Sequence, residues 1–181
     1  MNEDEGEKKM KKKVGIIAAV SAIIILCAGA VGVWYLTRGA SDSPLEAAID
    51  RRIEGEKNLG KDLPLSMQYS NAVLDALEYR VLSEDHESGT ATVSFTYVDV
   101  MKLGEECGTD IADADLFYTQ CMEKIEQGTA PSVTKEIQLQ YTTQEATDGE
   151  SVYVIQSSPE LADALSGGVF SVYQGLVGGE S

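Results

Sequence analysis

The sequence predicts an α+β domain, an antiparallel sheet of about four strands packed on helices, preceded by one transmembrane helix. Three observations predict it. Val14 to Leu36 are 23 residues without a charge, enough as a helix rising 1.5 Å per residue to cross a hydrocarbon core of about 30 Å. Beyond Pro44, apolar residues recur every three or four positions. From Leu77 to Tyr97, and again from Val133, the period drops to two.

The charge is unevenly spread. The 181 residues carry 14 Lys and Arg against 30 Asp and Glu, a formal −16. That balance excludes a nucleic-acid binder, which needs a basic face toward phosphates. It also excludes electrostatic docking of the main domain on an anionic membrane. Five lysines crowd residues 1–13, whereas residues 39–181 hold 26 acids and eight bases, a formal −18. Positive-inside bias therefore places a basic tail (1–13) in the cytoplasm, the transmembrane helix at 14–36, a linker at 37–43 and an extracytoplasmic α+β domain at 44–181. Trp34 and Tyr35 fall where aromatic rings prefer the headgroups.

A cleaved signal peptide competes, because Ala28-Gly29-Ala30 has the small-x-small form of a cleavage site. Six more uncharged residues follow it, Val31 to Leu36, which favours a retained anchor. Cys27 is a poor lipid acceptor, since Leu26 before it is not small. Small residues four apart, Gly15 with Ala19 and Ala28 with Gly32, leave room for two such helices to touch, so a homo-oligomer is possible.

The elements follow in order. Ser43-Pro44-Leu45-Glu46 opens a helix as cap, first helical position and capping-box partner. Leu45, Ala48, Ile49 and Ile53 form its stripe and Gly60 its stop. A second helix begins near Ser66 and uses Val73, Leu74 and Leu77. Leu77, Tyr79 and Val81 alternate into a strand ending at Ser83, and Glu84 to Gly89 is a charged turn. Ala91, Val93, Phe95 and Tyr97 then face one way, with Thr90, Thr92, Ser94 and Thr96 facing the other. This is the pattern of an antiparallel strand covered on one side.

Thr109 or Asp110 is expected to cap the next helix, with Ala114, Phe117, Tyr118, Cys121 and Ile125 on one face. Val133, Ile137, Leu139 and Tyr141 begin a strand running to Thr147-Asp148-Gly149, a hairpin signal, and Val152 to Ile155 returns. Ser158-Pro159-Glu160 starts a last short helix that Gly167-Gly168 stops. The tail after Val169 is left unassigned.

Gly89 to Asp99 (GTATVSFTYVD), Asp148-Gly149 before Tyr153-Val154-Ile155, and Leu161 to Gly168 (LADALSGG) carry a resemblance. Over roughly residues 70–170 they resemble small exported bacterial domains similar to the nuclear transport factor 2-like, or cystatin-like, superfamily. Tyr153 stands where such domains often have Trp. The resemblance implies a curved sheet wrapped on a helix into a cone, and a location outside a bacterial cell. It implies no activity, because the superfamily hosts enzymes, binding modules and scaffolds alike. The tail, single span and outer domain are also similar in plan to the bridging subunits of type IV secretion machines.

Candidate chemistry is sparse. Asp99 has the strand parity of Val93, Phe95 and Tyr97, where a cone would have its pocket. A carboxyl among apolar walls is a general-base candidate, with Tyr97 and Tyr141 supplying hydroxyls. The simpler reading is that the strand leaves the core at Asp99 with its carboxylate solvated, or that Lys135, on the inward parity of its own strand, pairs with it. Asp110, Asp113 and Asp115 fail the spacing of a calcium loop and read as helix N-terminal charges. Cys107 and Cys121 fall in the exported part, where a disulfide could persist. With Cys107 just before a helix starting near Asp110, their separation of about 16 Å counts against one, and a core thiol at Cys121 is the simpler reading. His86, the single histidine, reads as a solvated turn residue. No catalytic triad, metal site, phosphate-cradling loop or cofactor motif is legible. The expected role is therefore a membrane-anchored binding or assembly domain with a protein partner in the cell envelope. The alternative is a carrier, sensor or isomerase-like enzyme with a pocket around Asp99.

Overall fold

Proline at a first helical position and glycines at left-handed turns set the frame of the domain. The computed structural model describes residues 43–108, 113–145 and 151–177. The predicted tail and transmembrane helix, the candidate caps Thr109 and Asp110, and the turn at 147–149 lie outside the described residues. Among the described residues no helix is long and apolar enough to cross a membrane. Helix α1 (Pro44–Glu56) has Ser43 at its N-cap and Pro44 at its start. The Ser43 carbonyl accepts from the Ala47 amide at 3.1 Å, but its side chain makes no capping hydrogen bond. The stripe of Leu45, Ala48, Ile49 and Ile53 is buried as its spacing predicts. The helix stops short of Gly60 because Lys57 turns extended. Asn71 of α2 (Leu65–Asp75) then holds the redirected chain. Its Oδ1 accepts from the Asn58 amide at 2.8 Å, and its Nδ2 donates to the Asn58 carbonyl at 3.0 Å.

The sheet is an antiparallel meander in the order β1-β2-β3-β4. β1 (Glu78–Asp85) outruns the predicted end at Ser83 because it carries a bulge. Val81 pairs with Val93 and Ser83 with Thr92, which leaves Leu82 as the extra residue. One inserted residue reverses the alternation that follows it. Glu84, opposite Ala91, is thereby turned toward the covered face. β2 (Thr90–Val98) buries Ala91, Val93, Phe95 and Tyr97 as its alternation predicts. β3 (Ser132–Glu145) is long enough to pair with β2 along 132–140 and with β4 (Ser151–Ile155) along 141–145.

Two helices differ from the sequence reading. Val100–Cys107, unassigned from sequence, forms α3, capped by Asp99 and burying Val100, Leu103 and Gly104. Val169–Val177, unassigned from sequence, forms α6. Between them, α4 (Ala114–Glu126) is capped by Asp113, whose Oδ1 accepts from the Leu116 amide at 3.0 Å. The expected caps, Thr109 and Asp110, sit too early, since the helix begins only at Ala114. α5 (Pro159–Leu165) is capped by Ser158 as its sequence predicts.

The core has two parts. One fills the space between the covered sheet face, α1 and α5, around Val93, Phe95, Leu139 and Leu45. The other joins α2, α3 and α4 through Tyr69, Leu103, Tyr118 and Cys121, with Val98 and Val169. α1 also covers β4, where Arg51 donates to the Tyr153 carbonyl at 3.3 Å.

Candidate functional site

The residues expected to share one pocket fall at two ends of β3. Tyr97 pairs across from Val133, and Tyr141 lies eight residues further along that strand. At 3.3 Å per residue the two tyrosines are about 26 Å apart. Asp99 stays near Tyr97, but the strand ends at Val98 and its parity ends there too. The chain turns, the Asp99 amide donates to the Pro131 carbonyl at 2.8 Å, and its Oδ1 accepts from the Lys102 amide at 3.0 Å. This carboxylate is a helix cap, and the structure brings it to no cavity shared with Tyr141.

At the Tyr97 end, Lys135 does form an ion pair, with Asp163 in place of Asp99. Lys135 Nζ lies 2.9 Å from Asp163 Oδ2 and 5.9 Å from the centre of the Tyr97 ring. Asp163 is 5% exposed, and its second oxygen accepts from the Ser171 amide at 2.8 Å, which pins the first turns of α6. Burial pushes the Asp163 carboxyl up, yet Lys135 and the Ser171 amide outweigh it and hold the group below the usual carboxylate range. The hydrogen bonds to Asp163 and Tyr97 hold the Lys135 ammonium above its ordinary value. Burial likewise raises the Tyr97 hydroxyl, partly offset by Lys135. A shallow groove of about 260 Å³ opens beside the pair, between Glu136 of β3, Glu160 of α5 and Gln174 of α6.

At the opposite end, Tyr141 and Tyr153 stack with ring centres 4.6 Å apart. The Tyr141 hydroxyl donates to Glu84 Oε1 at 2.8 Å, a contact that exists because the bulge at Leu82 turned Glu84 inward. Burial first, and then Glu84, push that hydroxyl up to about 12. His86 Nδ1 lies 3.2 Å from Glu84 Oε1 and 3.4 Å from both tyrosine hydroxyls. His86 is thus the hub of a polar cluster, where its sequence context suggested a solitary turn residue. Its side chain is 70% exposed, so the cluster sits at the surface.

Among the described residues no three or more His, Cys, Asp or Glu side chains gather as a metal site. Sequence reasoning missed Asp163, Glu84, His86 and Tyr153 as partners. Only Tyr153 carried a signal, sharing strand parity with Ile155 on the return of the hairpin. No family model, no curated protein and no solved structure matches this chain.

Proposed function

We propose that the chain is a single-pass membrane protein that presents an acidic α+β domain outside a bacterial cell and works by binding or assembly with a protein partner. The partition of the sequence carries this reading: five lysines, then 23 uncharged residues, then a region with a formal charge of −18. A domain so charged is repelled from an anionic membrane surface and attracts basic partners. Two further observations support a surface mode of action. Tyr97, Phe95 and Val93 are at most 2% exposed, so that end of the covered face is filled by side chains. The candidate polar groups are engaged with one another, at opposite ends of β3. The resemblance to nuclear transport factor 2-like and cystatin-like domains is part of the same proposal.

Protease added to intact protoplasts should remove residues 39–181 and leave the anchor in the membrane. Full protection of the domain overturns the topology. Crosslinking in native membranes should then capture a partner with a basic face. Capture should weaken as salt rises from about 0.05 to 0.5 M, because screening shortens the reach of surface charge. Salt-independent capture, or a domain that crosslinks to nothing, argues against an electrostatically guided assembly role.

A further inference from the structure

We propose that Cys107 and Cys121 form a dithiol that closes into an intramolecular disulfide, clamping α3 onto α4. Three features of the fold place them for it. α3 packs on α4, so Cys107, its last residue, turns back along the helix that carries Cys121. One residue away, Glu106 Oε2 meets Lys124 Nζ at 3.0 Å and ties the end of α3 to the turn after Cys121. Both sulfurs belong to the cluster of Tyr69, Leu103 and Tyr118, and both cysteines are in the thiol form. Burial first, and then the neighbouring Cys107 thiol, push the Cys121 thiol above its ordinary value. The separation expected from sequence fails because it assumed that Cys107 preceded a helix, whereas it ends one.

The two thiols are not equivalent. Cys121 is fully buried, while Cys107 is partly exposed. Cys107 is therefore the attacking group and a low-molecular-weight disulfide the oxidant. The Cys107 thiolate bonds to one sulfur of that disulfide and expels the other as a thiolate, which takes up the proton Cys107 gave up. Cys121 then loses its proton and attacks the Cys107 sulfur. The mixed disulfide breaks and its second half leaves as a thiol. Two protein thiols are oxidised, one small disulfide is reduced to two thiols, and no other electron acceptor is required. Outside a cell, such a bond persists.

The test uses the full chain in detergent micelles with Cys27→Ser, so that two thiols remain. After treatment with oxidised glutathione, the chain is unfolded, alkylated and cleaved at the aspartates between the two cysteines, Asp110, Asp113 and Asp115. The expected result is a joined pair of peptides that is two hydrogens lighter than the separate halves and blocked to alkylation. Its thermal midpoint should rise by about 5 °C, reversed by dithiothreitol. Cys107→Ala should leave Cys121 alkylatable and abolish the shift. Two free cysteines after oxidation, or a reaction that halts with glutathione on Cys107, overturns the proposal.

Discussion

The two ends of β3 answer one requirement, fastening a sheet to what surrounds it, with different chemistry. At the Val133 end the fastening is an ion pair roofed by helices, in which Asp163 binds both Lys135 and the backbone of α6. At the Glu145 end it is a stack of two tyrosines whose hydroxyls meet Glu84 and His86 beside the solvent. Each end also has its own glycine in the left-handed region, at positions where a side chain has no room. A Cβ on Gly167 (φ +65°) would press into the Val100 side chain and lie 2.9 Å from the Val98 carbonyl oxygen. A Cβ on Gly89 (φ +64°) would lie 2.7 Å from the Tyr141 carbonyl oxygen. The comparison teaches that one end is tied to helices by a carboxylate that binds a lysine and a backbone amide, and the other is tied strand to strand by stacked rings and the polar groups their hydroxyls meet.

The comparison can be broken most forcefully at Asp163. Replacing it with alanine strands the Ser171 amide and removes the Lys135 partner. We expect a loss of about 3 kcal/mol in urea unfolding, the low end for a buried pair, because Lys135 is half solvated. A loss below about 1 kcal/mol would mean that α6 does not depend on this carboxylate. Gly89→Ala should cost about 2 kcal/mol by strain at a left-handed position plus contact with the β3 backbone. Hydrogen exchange should report this at the Tyr141 end while the amides of α6 stay protected. Tyr141→Phe should be mildest, about 1 kcal/mol, since it removes the short hydrogen bond to Glu84 and the long contact with His86 but keeps the stack.

Acid separates the ends without mutation. The Asp163 carboxyl is depressed in the folded chain, so its contribution is present above the unfolded value, about 3.9, and is lost as pH falls through the folded one. The Tyr141 hydroxyl is raised, so its contribution is complete below about 10 and is lost as pH rises through about 12. On lowering the pH from 5 to 2, the protection of α6 amides should fall before that of residues near Tyr141. Simultaneous loss at both ends would show that they are fastened as one unit.

Much of the scaffold was legible in the sequence, and the clusters were not, for identifiable reasons. The alternation of Ala91, Val93, Phe95 and Tyr97 reports burial on a straight strand, and the structure follows it residue by residue. Asp99 as a pocket residue rested on parity carried one residue past the strand, and the other reading, that the strand leaves the core there, is the one the structure follows. Yet Asp99 as cap, Val100, Leu103 and Cys107 at helical spacing, and Gly108 as stop had been signals for α3. The Leu82 bulge leaves no mark in β1 alone, since it is a relation between two strands. Glu84 and its contact with Tyr141, 57 residues away, were hidden with it. Lys135 and Asp163, 28 residues apart, meet only once α5 has docked.

The outer strands carry one more consequence. β1 is kinked at Leu82 and bears Glu78 and Arg80, while β4 spans five residues and has its Tyr153 carbonyl taken by Arg51. Neither border offers a long, straight row of unsatisfied amides and carbonyls to a neighbouring chain. Among the described residues, many copies crowded together would find no long border strand to serve as a template for an extended, amyloid-like ribbon. Arg51→Ala is a direct way to learn how much of that protection one guanidinium supplies.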